Sequence, residues 1–137
     1  MRIFFDSSAL AKRYILESGG AQVLEWCQKA DELAIAAIAV PEIISAFCCL
    51  QREQRINATQ YQQLKRELLA DIIDAMVCEI TPQVINYAVQ ALETHTRRGM
   101  DALHVGAALA CSVDIFISAD VRQGNAAQHL GLKTISL

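Results

Sequence analysis

The chain has no excess of positive charge. Its 137 residues carry 12 Lys+Arg against 15 Asp+Glu, a formal net charge of -3. The basic footprint with which sequence-blind duplex binders neutralise phosphates is therefore missing. No uninterrupted apolar run is long enough for a membrane span. Residues 33–50 come nearest, but Pro41, Glu42 and Ser45 fall within them, and a central carboxylate is costly in hydrocarbon. The N-terminal MRIFFDSSAL meets Asp6 after three apolar residues, too few for the core of a secretory signal. Cysteine occurs five times, an odd number, without a Cys-x-x-Cys or a Cys/His cluster at zinc-ligand spacing. Cys48 and Cys49 are neighbours in an apolar stretch and read as small core residues rather than a bridge. A reducing cytoplasmic setting, without a membrane, is the expectation. Repeats, linkers and low-complexity tracts are missing as well. Trp26 and the three tyrosines do not interleave with basic residues, so no base-stacking platform is indicated.

What is present is a globular composition. Hydrophobic residues make up 53% and charged residues 20%, which excludes a disordered chain. The length suits one domain, residues 1–137, with a core that needs no staples. Short continuous apolar runs predict strands over residues 2–5, 33–38, 75–80, 114–118 and 134–137. Between them, helical spacing predicts helices over residues 9–17, 21–30, 41–52, 57–73, 82–98, 101–111 and 121–130. Ser7 or Ser8 is expected to cap the first, and Thr81 the one that opens with Pro82. Alternating strands and helices of this kind predict an α/β domain, a parallel sheet covered by helices on both faces.

Most of the fifteen acids sit in polar company and read as solvated, Asp71 and Glu67 among them. Four do not. Asp6 lies in FFDSSAL, Glu42 in AVPEIISAF, Asp101 in GMDALHVGAAL and Asp120 in FISADV. Asp6 ends the first strand, Asp120 follows the fourth, and Glu42 and Asp101 each fall in the first turn of a helix. Open parallel sheets bind ligands beyond the carboxyl ends of their strands, at the switch point in strand order. Four carboxylates gathered there would repel one another unless a cation joined them. Oxygen donors without paired His or Cys suit a hard ion, Mg²⁺ or Mn²⁺, one or two per site. Each acid also has an ordinary alternative. Asp101 is favoured at a helix N-terminus by the dipole, Asp6 suits an Asx turn, Asp120 suits a helix cap, and Glu42 could pair with an arginine.

At these residues the chain resembles the PIN-domain family, in particular the VapC type of toxin ribonuclease. Asp6-Ser7-Ser8-Ala9-Leu10 matches the family's opening segment after the first strand. Glu42 matches its helix-opening glutamate, Asp101-Ala102-Leu103-His104 its late D-A-L-H segment, and Ser118-Ala119-Asp120 its strand-ending [ST]-x-D. The segment VRQGNAA after Asp120 is less typical, because Gly124 interrupts the helix start. The resemblance implies a five-stranded parallel sheet and a Mg²⁺- or Mn²⁺-dependent endoribonuclease site. It also implies a homodimer and neutralisation by a small VapB-like antitoxin protein.

The mechanism expected from this resemblance is hydrolysis of RNA by a metal-activated water. Asp6, Glu42, Asp101 and Asp120 are the expected metal ligands, and two ions would lie about 3.5–4 Å apart. Ser7 is the expected helper, its hydroxyl and helix N-terminus meeting a phosphate oxygen. Ser118 is a candidate to orient a carboxylate or water. His104, one turn after Asp101, is expected to support or pack rather than react. Lys12, Arg13, Arg97, Arg98 and Arg122 are the nearest bases for gripping phosphate. Ile43, Ile44, Phe47, Leu50 and residues 61–69 carry apolar surface expected to serve a dimer interface or an antitoxin groove. The alternatives are a catalytically silent PIN-like scaffold or a PIN nuclease that is not a toxin. A phospho-receiver is disfavoured because no acid ends the third strand. A haloacid-dehalogenase-like phosphatase is disfavoured because Ser8 stands where a second aspartate is needed. Setting aside the four site acids, 15 less 4 leaves 11 acids against 12 bases, so the net charge does not exclude RNA.

Overall fold

The computed structural model describes residues 1–15 and 18–137. β1 (Arg2–Phe5) is the apolar run RIFF, ended by Asp6. After it come α1 (Ser7–Ala11), α2 (Gly20–Lys29), β2 (Glu32–Ala36), α3 (Ala39–Arg52), α4 (Ala58–Ile73) and β3 (Met76–Cys78). The second half contains α5 (Pro82–Thr94), α6 (Gly99–Ala110), β4 (Ile115–Ser118), α7 (Val121–His129) and β5 (Thr134–Ser136). The strands form one sheet in the order β3-β2-β1-β4-β5, and every neighbouring pair is parallel. The chain steps from β1 outward through β2 to β3, then returns to add β4 and β5 on the other side. The switch in direction therefore lies between β1 and β4, where such sheets open a crevice at their carboxyl edge.

Both faces of the sheet are covered, which is why the strands read as continuous apolar runs. Ile3, Phe5, Ile35, Ile115 and Ile117 face one layer, where Leu10, Val23, Ile43, Phe47 and Leu68 supply the helical side from α1 to α4. Phe4, Ala34, Ala36 and Phe116 face the other, packed by α5, α6 and α7 largely through alanine. Small side chains let α5 and α6 approach closely. A Cβ added at Gly106 would lie 2.4 Å from the Val84 carbonyl oxygen.

Local chemistry sets the helix starts. Thr81 caps α5 as expected, its hydroxyl accepting the Val84 N–H, with Pro82 in the first turn. Asn57 caps α4 in a reciprocal box with Gln60. Asn57→Ala should lower stability by about 1 kcal/mol. A denaturation midpoint that falls at unchanged slope, with catalysis unaffected, is the expected result.

Several boundaries differ from the sequence reading. α1 covers only five residues and is capped by the Asp6 side chain rather than by Ser7 or Ser8. The end expected for it at residues 16 and 17 lies outside the described residues. α3 begins two residues before Pro41, which stays within the first turn where no intrahelical N–H is required. α5 stops at Thr94, because His95 takes an extended backbone (φ -139, ψ 142). Arg97 therefore lies in a connecting segment, not on a helix. Cys49 is exposed and Cys48 half-buried, so the pair is not the core feature expected. Cys78 and Cys111 are instead joined as a disulfide across 33 residues, a pairing that no local spacing marks. Asp71 is half-buried and bound by Arg13 and Tyr14 rather than solvated. Among the described residues, no helix is long and apolar enough to cross a membrane.

Candidate active site

Asp6 follows β1 directly and is 4% exposed. Its Oδ1 accepts the Ala9 N–H at 3.0 Å and the Ser8 hydroxyl at 2.6 Å, and its Oδ2 accepts the Ser118 hydroxyl. Ser118 thus orients a carboxylate, one of the roles considered for it. Burial pushes the Asp6 carboxyl above its ordinary value, against the lowering by these donors. Ser8 and Ser118 also accept the backbone N–H groups of Ala119 and Asp120. The hydroxyls thereby tie the end of β1 to the end of β4.

Glu42 reaches the same crevice from the first turn of α3. Its Oε1 accepts the Ser7 hydroxyl at 2.8 Å and lies 2.5 Å from His104 Nε2. Burial acts to raise its carboxyl, but the hydrogen bonds from His104 and Ser7 outweigh this and hold it below the ordinary value. Serine, histidine and a carboxylate meet here without forming a nucleophilic triad. Ser7 and Glu42 share Nε2, whereas a triad needs the carboxylate on the other ring nitrogen. That nitrogen, Nδ1, is buried with no hydrogen-bond partner among the described residues. The tautomer with its proton on Nε2 leaves only a lone pair unpaired there. His104 is 2% exposed and packs edge-on against Phe4. It supports Glu42, in keeping with the supporting role expected. Ser7 reaches the site as expected, but its hydroxyl is engaged with Glu42, and the α1 N-terminus is filled by Asp6.

Asp101 lies in the first turn of α6, and Asp120 caps α7 by accepting the Arg122 N–H at 2.9 Å. Asp6 and Asp120 are thus caps as well as candidate site residues, and the cap role expected as the ordinary alternative for Asp120 is present. Between Asp101 and Asp120 stands Arg97, whose side chain is 5% exposed. Its terminal nitrogen is 3.2 Å from Asp101 and 3.0 Å from Asp120. Its Nε donates to Gln123 Oε1 at 3.3 Å, and Gln123 Nε2 donates to the Asp101 carbonyl at 2.6 Å. Burial acts to raise the Asp120 carboxyl, but Arg97 and two backbone N–H groups hold it below the ordinary value.

All four predicted acids line one cavity of about 160 Å³, together with Ser7, Ser8, His104, Arg97 and Gln123. In donor chemistry the set suits a hard divalent ion, since it offers oxygen ligands and includes a buried carboxylate, Asp6, with a desolvation cost to offset. As they stand, no three acidic, His or Cys side chains among the described residues are placed to hold an ion together. Arg97 supplies the counter-charge to two of the four. Beside the cavity opens a cleft of about 1110 Å³, shared by Glu42, Asp101, Asp120 and Arg97. Its far wall is apolar, with Ile85, Val89, Leu92 and Met100 between 39% and 50% exposed.

The basic residues divide. Arg98 and Arg122 are exposed on the cleft. Arg13 is held by Asp71 and Lys12 Nζ donates to the Ser18 carbonyl, and neither lines the cavity or the cleft where a grip on phosphate was expected. Ile43, Phe47 and Leu68 are core, Ile44, Leu50, Tyr61 and Leu64 are half-buried and Leu69 is exposed, so part of the apolar surplus of α3 and α4 is spent inside the fold and part stays at the surface. Sequence reasoning missed Gln123 and the inward position of Arg97. Both lie in polar segments, and no periodicity or motif marks them as buried.

No protein-family model matches the chain. Ribonuclease VapC45 of Mycobacterium tuberculosis is 25% identical over 108 residues, 79% of this chain and 75% of that protein. Ribonuclease VapC49 of the same species matches to the same extent. Among solved structures, FitAcB from Neisseria gonorrhoeae has a TM-score of 0.72 at 14% identity, covering 98% of this chain and 96% of that one. VapC20 of Mycobacterium tuberculosis, a sarcin-ricin loop cleaving toxin, has a TM-score of 0.68 at 16% identity, covering 98% and 99%. VapBC2 from Rickettsia felis, bound to a DNA fragment from their promoter, has a TM-score of 0.71 at 11% identity, covering 100% and 99%.

Proposed function

We propose that this chain, similar in fold and sequence to PIN-domain VapC toxins, is a Mg²⁺- or Mn²⁺-dependent endoribonuclease and the toxin of a toxin–antitoxin pair. The observation that carries this reading is the convergence of Asp6, Glu42, Asp101 and Asp120, from four separate elements, on one cavity at the switch point of the sheet. The sequence similarity to VapC ribonucleases supports RNA as the substrate. The fold shared with a VapBC complex supports a VapB-like antitoxin as partner. A homodimer and a cytoplasmic location belong to the same reading.

Asp6, Glu42, Asp101 and Asp120 would hold one or two ions. A bound ion would acidify the water that attacks phosphorus and offset the negative charge developing on the phosphoryl oxygens and on the leaving oxygen as its P–O bond breaks. The chain's own contribution is to set the donors. Ser8 and Ser118 fix both oxygens of Asp6, while Ser7 and His104 fix one oxygen of Glu42 and leave the other to the cavity. Arg98 and Arg122 stand on the open cleft, placed to meet substrate phosphates.

A metal titration with and without RNA tests the reading. Chelation should reduce cleavage by more than about 10²-fold, the scale of losing one electrostatic stabiliser. Mg²⁺ or Mn²⁺ should restore it. Cleavage that persists under chelation would reject the metal site. Metal and RNA binding without cleavage would leave a silent scaffold.

A further inference from the structure

Arg97 is a buried cation at the contact of two carboxylates that the proposed function assigns to a metal ion. Its guanidinium bridges Asp101 and Asp120 at 3.2 and 3.0 Å. An ion bound through both acids and a guanidinium bound to both compete for the same lone pairs and repel each other. Two features let Arg97 give way. It lies in the segment 95–98 between α5 and α6, where His95 and Arg98 have extended backbone (ψ 142 and 153), so no helix ladder holds it. It also lines the adjoining cleft, beside Arg98 and Arg122. A guanidinium meets carboxylate and phosphate with the same fork of donors.

We propose that Arg97 is a built-in counter-ion that exchanges partners. In the metal-free protein it holds Asp101 and Asp120. When a divalent cation takes those carboxylates, Arg97 turns to the cleft and receives a phosphodiester group of the RNA. Metal and substrate binding are then positively coupled, and by linkage each strengthens the other to the same degree. Gln123 keeps the guanidinium near the boundary between cavity and cleft through the Nε contact. This inference rests on the metal site of the proposed function.

The test measures Mn²⁺ binding by electron paramagnetic resonance on the full chain, for wild type, Arg97→Gln and Arg97→Lys. Without RNA, Arg97→Gln should bind Mn²⁺ about tenfold more tightly than wild type, the scale of removing one competing charge. Arg97→Lys should fall between them. With a phosphorothioate-linked oligoribonucleotide as probe, Mn²⁺ should strengthen binding to wild type, and this gain should shrink in Arg97→Gln. Equal or weaker Mn²⁺ binding by Arg97→Gln would show Arg97 to be a positioning strut and overturn the exchange, while leaving the metal site standing. No Mn²⁺ binding by wild type would overturn both. If the variants do not fold, the wild-type protein still decides. The Arg97 Nε–H resonance should move as Mg²⁺ is added and saturate with it, and an unmoved resonance overturns the proposal.

Discussion

Asp6→Asn is expected to cut RNA cleavage by about 10³-fold and, in metal-free buffer at neutral pH, to raise the melting temperature. The two effects have one cause. Asp6 is 4% exposed, and burial holds its carboxyl above the ordinary value of 3.8 in spite of its donors. The folded state therefore binds this proton more tightly than the unfolded chain does. As pH rises through 3.8, the unfolded chain ionises first and gains free energy that the fold does not match. The stability lost in this way accumulates until the pH passes the raised native value, and then stays lost. Asparagine has no charge to desolvate and keeps an oxygen for the Ala9 N–H and the Ser8 hydroxyl. Thermal melts from acid to neutral pH should therefore show the variant gaining on wild type and then running level above it. Added Mg²⁺ should narrow the gap by stabilising wild type alone. A variant that cleaves RNA would remove Asp6 from the site. A variant less stable than wild type at neutral pH would contradict the burial argument.

Gly106→Ala carries the largest expected cost to stability, about 3 kcal/mol, or a fall of about 10 °C in melting temperature. The added Cβ would meet the Val84 carbonyl oxygen at 2.4 Å and the Ala88 nitrogen at 3.1 Å. Both are backbone atoms of α5, so no side chain can rotate away and the helices must separate. α6 carries Asp101 and His104, and α5 leads into Arg97, so the same displacement should loosen the site and lower activity well below the melting temperature. Gly99→Ala is the control, because nothing lies within 4 Å of a Cβ there. Its melting temperature should match wild type. A Gly106→Ala protein that melts like wild type would mean that α5 and α6 do not meet backbone to backbone.

The parallel sheet was legible because its signal is local. Strands buried on both faces must be short and apolar, and RIFF, ELAIA and IFIS are. The four acids were legible for a related reason. A carboxylate beside apolar residues at the end of a strand or the start of a helix has few ordinary uses, and four of them shared one edge. Boundaries were less legible where a cap and a period compete. α5 was read through to residue 98 because its polar end continues the helical spacing, but His95 leaves the helix.

By itself, then, the sequence determined the element types, the alternation that demands a covered parallel sheet, and the acids at its carboxyl edge. These follow from side-chain period and local hydrogen bonding, which act over a few residues. The tertiary structure alone decided that Arg97 turns inward to Asp101 and Asp120, that Gln123 is buried beneath it, that Cys78 meets Cys111, and that Gly106 sits against the α5 backbone. Each depends on how closely two segments approach after the helices pack, and that distance is set by the summed shape of many side chains rather than by any one stretch of sequence.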